Sequence, residues 1–225
     1  MCIRDRPSVP ANIRLSMALL ISLALGPLVV DGLPPMPEQP LMLAAMVVTE
    51  GVIGLMIGAV ARLFLSTAAV AGQVIGMQSG LAFAQSFDPT MGSQGALMAT
   101  FLNLTFITLL FATNIHHMLL YTATNSYIVF PAGELPSMSG AALWALNSFI
   151  DAFRLGVQLA APLIVFALVF YLSLGVLSRL MPQAQIFFIA MPSNIMVGLF
   201  IVTIALGAMS AVWLERMQRF AIDMN

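Results

Sequence analysis

The sequence predicts an all-α, polytopic helical membrane protein. Hydrophobic residues make up 60% of its 225 residues and charged residues only 8%, against about 25% charged in an ordinary soluble domain. The apolar residues fall into long runs, at 15–30, 41–78, 95–130, 141–181 and 184–214, and about 20 residues suffice to cross the hydrocarbon of a bilayer. The breaks between runs are clusters of Pro and Gly with acidic residues, which punctuate helices.

Taken in order, the run at 15–30 follows Val9, Pro10 and Arg14 and ends at Asp31, Gly32, Pro34, Pro35, Pro37 and Glu38. The run at 41–78 is longer than one crossing and carries Glu50 and Arg62, each of which lipid would disfavour by about 2.5–3.5 kcal/mol at mid-depth. The run at 95–130 is read as one long helical stretch, closed by Pro131, Gly133, Glu134 and Pro136. The run at 141–181 carries Asp151, Arg154 and Arg179, so it too needs protein neighbours. Met181, Pro182 and Gln183 turn it into the last run, making a helical hairpin. Polar residues 215–225 follow as a tail. At the other end Met1 to Arg6 is polar and lacks the apolar core and cleavage site of a signal peptide, so residues 1–8 are expected to be a non-native leader.

Charge placement gives an orientation. Arg14, Arg216 and Arg219 flank apolar runs, and Asp31 and Glu38 follow the first. The positive-inside tendency then puts Arg14 and the tail on the cytoplasmic side and the loops at 31–40 and 131–140 outside. A net charge of −1 with no lysine gives no nucleic-acid footprint. The lone Cys2 cannot make an internal disulfide.

Catalysis has little to stand on, because no nucleophile with a base, carboxylate dyad or metal cluster is evident. His116 and His117 point about 100° apart on a helix and suit hydrogen bonding better than joint ligation. Asp151 and Arg154 are spaced to pair on one helix face. Glu50 and Arg62, more than three turns apart, are expected to meet partners on other helices or subunits. Arg179 suits a boundary anchor. The seventeen methionines suit either plain apolar filling or a surface that repacks.

The segment 72–92 stands apart. Gly72, Gly76 and Gly80 recur every fourth position, with Ala68 and Ala84 extending the row, so one helix face is smooth enough for close packing. Asp88 and Pro89 then signal a loop and a new helix start. An ordinary packing row with an ordinary loop, and a functional loop with an apolar tip at Leu81, Phe83 and Phe87, both fit these residues.

Two stretches together narrow the choice. Gly72-Gln73, Gly76-Met77-Gln78, Gly80-Leu81-Ala82-Phe83-Ala84 and Asp88-Pro89 form the first. Arg179-Leu180-Met181-Pro182-Gln183 with Phe187, Pro192, Ile195, Gly198 and Leu199 forms the second. Together they resemble the R-type export-gate subunits of bacterial type III secretion systems, the flagellar ones above all. Thr113-Asn114 with His116 is similar to a further stretch of that family, and the similarity covers Val9 to Glu215. The resemblance implies a non-enzymatic gate in the bacterial cytoplasmic (inner) membrane at the flagellar basal body. There the R-type subunit assembles with P-type and Q-type subunits around a path for unfolded export substrates.

By the same resemblance, residues 9–140 are similar to a P-type subunit and 141–214 to a Q-type hairpin. The loop near 81–90 would plug the pore through Phe83, Ala84, Gln85, Ser86 and Phe87. Gly72, Gln73, Gly76, Gln78, Gly80, Arg179, Pro182 and Gln183 would pack against sister subunits, and no cofactor is implied. The chain departs from the family pattern at Ile115, where Gly is expected, at Gln185, where Asn or Ser is expected, and in lacking the family's further first helix, which implies an incomplete amino terminus. The rival readings are a small-molecule secondary transporter coupling ions through Glu50, Asp151 or Arg154, and a membrane enzyme.

Overall fold

A computed structural model of the chain describes residues 10–30, 34–35, 38–81, 95–131, 138–181 and 186–223. Six helices account for nearly all of them: α1 (Ala11–Val29), α2 (Pro40–Gln78), α3 (Gly95–Ala112), α4 (Ile115–Val129), α5 (Met138–Leu180) and α6 (Ile186–Asp223). No strand occurs among the described residues. Four helices are long and apolar enough to span a membrane, and α3 with α4 supplies a fifth span if that bent pair is counted as one.

Local chemistry explains where the helices start and stop. Pro40 opens α2 behind an extended Gln39, a position where the missing N–H costs nothing. At 39 residues α2 is about 58 Å long, nearly twice the hydrocarbon thickness. The run at 95–130 proves to be two helices rather than one. Asn114 takes the left-handed conformation, φ 59°, which asparagine tolerates better than most residues, and the axes of α3 and α4 diverge there by 76°. Pro162 and Pro192 lie inside α5 and α6 without ending them.

The helices assemble around α2. Gly72 crosses the backbone of α3 at Ala99, and the Thr67 and Val70 stretch meets Gly156 of α5. Helix α6 runs back along this group: Asn194 lies beside Tyr171 and Gln78 at one end, Trp213 beside Thr67 further along, and Phe220 beside Phe64 beyond that. Trp213 and Phe106 are fully buried at the centre, with rings stacked at 4.9 Å. The indole N–H donates to Thr67 Oγ1 at 3.1 Å, whose own hydroxyl donates to the Phe64 carbonyl at 2.6 Å. The one polar atom of the tryptophan is therefore satisfied inside an apolar core. Helix α1 buries none of its residues.

Two readings of the sequence change here. The segment after Leu214 is not a free polar tail, since α6 continues to Asp223. Met217, Phe220 and Ala221, spaced three and four apart, extend its apolar stripe and are buried, and Thr122 of α4 donates to the Ala221 carbonyl at 3.2 Å. The orientation reading also fails in one part. Because α5 and α6 form a single antiparallel hairpin, the start of α5 and the end of α6 lie at the same end of the molecule. The start of α5 and the carboxyl-terminal end of α6 therefore cannot face opposite sides of a membrane. Too few charges vote in this sequence for the positive-inside tendency to register that pairing.

Two outcomes test this architecture. Replacing Trp213 by Phe keeps a ring but removes the N–H, and should cost about 0.5–1.5 kcal/mol. Trp213→Ala leaves a cavity and should cost about 3–5 kcal/mol. Unfolding of the detergent-solubilised chain measures both. In a Cys2→Ser background, single cysteines at Gly140 and Ile222 should react with a membrane-impermeant thiol reagent from the same side, and labelling from opposite sides would refute the hairpin.

Candidate functional site

The candidate site is the end of α2, where the helix stops and the chain enters residues 82–94. Its geometry begins at Gly72. A Cβ there would stand 2.7 Å from the Met98 carbonyl carbon and would overlap the Ala99 backbone, so α2 and α3 meet backbone to backbone. Only glycine permits that approach. One turn on, Gly76 is also buried, on the same face as Ile75 and Ala71.

The helix then ends by a defined mechanism. The Ser79 N–H donates to the Ile75 carbonyl at 2.9 Å, and the Gly80 N–H to Met77 at 3.2 Å. Gly80 has φ +75°, the left-handed conformation in which glycine commonly closes a helix. Against this terminus lies α6. Asn194, 3% exposed, donates through Nδ2 to the Gln78 carbonyl at 3.3 Å and toward the Tyr171 hydroxyl at 3.4 Å. One amide thereby ties α2, α5 and α6 together, and it caps a carbonyl of the last turn of α2 that has no intrahelical donor. A Cβ on Gly80 would stand 3.2 Å from Asn194 Nδ2, and one on Gly198 would stand 2.9 Å from Ser79 Cβ. Glycine is thus required at 198 by contact and at 80 by its left-handed backbone.

The two sequence stretches singled out for their resemblance therefore meet in space. Gly80 of the first lies against Asn194 and Ile195, and Ser79 beside it against Gly198 of the second. This corrects the expectation that the glycine row packs against sister subunits. All three glycines are buried within the chain, Gly72 against α3 and Gly80 against α6, while Gln73 and Met77 are exposed on the same helix. Gln78 is half-buried and contributes its backbone carbonyl. Arg179 is exposed in the last turn of α5, where its charge complements the helix dipole. Pro182 and Gln183, the proposed plug Phe83, Ala84, Gln85, Ser86 and Phe87, and the leader at 1–8 lie outside the described residues.

Sequence reasoning passed over Asn194, although the one amide among residues 186–214 carries its own signal in an apolar stretch. It also passed over a second small-residue row. Gly51, Gly54 and Gly58 of α2 meet nothing within 4 Å on the side their Cβ would occupy. Gly54 and Gly58 line a groove of about 390 Å³ between α2 and α4, with Ala123, Ser126 and Tyr127 opposite. Glu50 sits in that groove, and its Oε1 is buried without a partner among the described residues.

The remaining polar candidates do not converge. Asp151 and Arg154 pair at 3.8 Å with both side chains more than half exposed, and Asp151 lines a different cavity from Glu50. No ion pair of Arg62 is found among the described residues. The His116 ring lies 4.1 Å from His117 and 5.0 Å from Phe111, and its Nδ1 has no partner there. No group of three or more potential metal ligands occurs among the described residues.

Comparison with known proteins agrees with the pattern of the two stretches. Residues 1–220 match the family described as bacterial export proteins, family 1. The flagellar biosynthetic protein FliR of Caulobacter vibrioides is 43% identical over 209 residues, covering 93% of this chain and 83% of that protein. FliR of Escherichia coli K12 is 31% identical over 193 residues, 85% of this chain and 73% of its own length. FliR of Aquifex aeolicus is 27% identical over 213 residues, 94% and 81% respectively. With the family matched along almost its whole length, the chain belongs to the bacterial export proteins of family 1, among the FliR proteins.

Proposed function

We propose that this chain is a subunit of the flagellar type III export gate, seated in the bacterial cytoplasmic membrane at the flagellar basal body. In this reading it assembles with P-type and Q-type subunits and seals the path of unfolded export substrates through residues 83–87. The observation that carries the reading is the clamped end of α2. A plug must be hung from fixed points if it is to close a pore reproducibly, and residues 82–94 leave α2 at Gly80 and return into α3. The Gly72 crossing, the Asn194 amide and the Gly198 contact hold those supports together.

Assembly with sister subunits is supported by surface the chain leaves open. The row at Gly51, Gly54 and Gly58 offers a close-packing face, and a buried Glu50 oxygen without a donor is costly in an apolar setting. A sister helix bringing a donor to Glu50 would supply both needs. The transporter alternative is not favoured, since Glu50, Asp151 and Arg154 form no common path.

Deleting residues 83–87 tests the plug. The deleted chain should still co-purify with P-type and Q-type subunits while the membrane becomes permeable to ions, measured as collapse of an imposed ion gradient in vesicles. An assembled, tight mutant would remove the plug, and a wild-type chain that stays alone would remove the gate.

A further inference from the structure

Away from the clamp, charge collects at one level of the molecule. Helix α5 carries no charged residue between Arg154 and Arg179, and α6 none before Glu215. Their antiparallel pairing sets Asp151 in the same cavity as Arg216 and Arg219. The uncharged stretches at 155–178 and 186–214 are about 36 and 43 Å long, enough to cross about 30 Å of hydrocarbon. The shared level at which both stretches end is thus fitted to the boundary between hydrocarbon and headgroups.

A cavity of about 370 Å³ opens at this level between α2, α5 and α6. Its apolar part is supplied by Phe64 and Phe220, whose rings lie 4.8 Å apart, and by Trp144, a residue type enriched at membrane interfaces. Its charges come from different walls: the Asp151 carboxylate from α5, the Arg216 and Arg219 guanidinium groups from α6. Arg219 holds Glu215 at 2.6 Å, whereas Asp151 keeps only a 3.8 Å contact with Arg154. Arg216, half-buried, has no ion pair among the described residues. A cavity with two arginines alone would favour any anion. One that also holds a loosely paired carboxylate, with a guanidinium that has no ion pair among the described residues, favours a ligand carrying both signs.

We propose that this cavity binds the phosphoethanolamine headgroup of a membrane phospholipid. The phosphate is received by Arg216, with Arg219 beside it, because guanidinium groups match phosphate oxygens in geometry and charge. The ammonium is received by Asp151, and the glycerol and first acyl carbons lie along Phe64, Phe220 and Trp144. The site is independent of the plug and of the surfaces assigned to sister subunits.

Native mass spectrometry of the full chain, purified in a neutral detergent and titrated with defined lipids, tests the assignment. Phosphatidylethanolamine should be retained about three- to fivefold better than phosphatidylglycerol, and soluble glycerophosphoethanolamine should be retained weakly. Arg216→Gln should lower phosphatidylethanolamine retention, while Asp151→Asn should shift the preference toward phosphatidylglycerol, with both variants unfolding at the wild-type temperature. Equal retention of the two lipids, or an unchanged preference in Asp151→Asn, would overturn the proposal. Binding of the free headgroup as tightly as the lipid would overturn the membrane source. Loss of a co-purifying protein instead of lipid in Arg216→Gln would assign the cavity to a partner's side chain.

Discussion

The backbone approach of α2 to α3 at Gly72 and Ala99 is the constraint on which the rest of the bundle depends. In a bilayer the hydrophobic effect does little to bring helices together, because lipid tails are as apolar as leucine. Association then rests on shape, and shape is best where side chains are absent. Once α2 lies against α3, its next turns face α5 and α6. Thr67 is brought to Trp213 and Gly80 to Asn194. A larger residue at 72 would lift α3 off α2 and open each of these contacts in turn, since packed interiors do not absorb added volume without backbone shifts.

Two polar links pin the register that packing alone leaves loose. The Trp213 N–H to Thr67 bond sits at the centre of the bundle, and the Asn194 amide closes its end. A slide of α6 by one turn, about 5.4 Å, would break both and leave donors unsatisfied where no water competes, so the two links select one arrangement. Ser79 and Gly198 add a steric stop, because only a glycine at 198 lets α6 reach the last turn of α2.

Much of this was legible in the sequence. The apolar runs begin within a few residues of helix starts, because Pro and Gly clusters break helices by local sterics. The end of α2 at Gln78 coincides with the end of the apolar run, whereas the glycines read only as a packing row that continued to Ala84. The bend at Asn114 was not seen, because a single asparagine in an apolar run changes hydropathy little while its left-handed conformation turns the chain by 76°. The extent of α6 was missed for the opposite reason: Glu215, Arg216 and Arg219 lower the local hydropathy, yet Met217, Phe220 and Ala221 keep the buried stripe. Most instructive is the glycine row. Spacing alone shows that a helix face is smooth. Which neighbour covers it depends on tertiary packing, and here the covered row is at 72–80 and the open row is at 51–58.

Helix α6 is locked against the end of α2, and the response of Gly198 to a methyl group measures that lock most directly. A Cβ at 198 would lie 2.9 Å from the Ser79 Cβ, whereas one at Gly207, further along the same helix, would meet nothing within 4 Å. Gly198→Ala should therefore destabilise the detergent-solubilised chain by about 1–3 kcal/mol, Gly207→Ala should not destabilise it, and Ser79→Gly should recover part of the loss in Gly198→Ala. Undiminished stability in Gly198→Ala, or an equal loss in both alanine variants, would contradict the lock and the loop anchorage built on it.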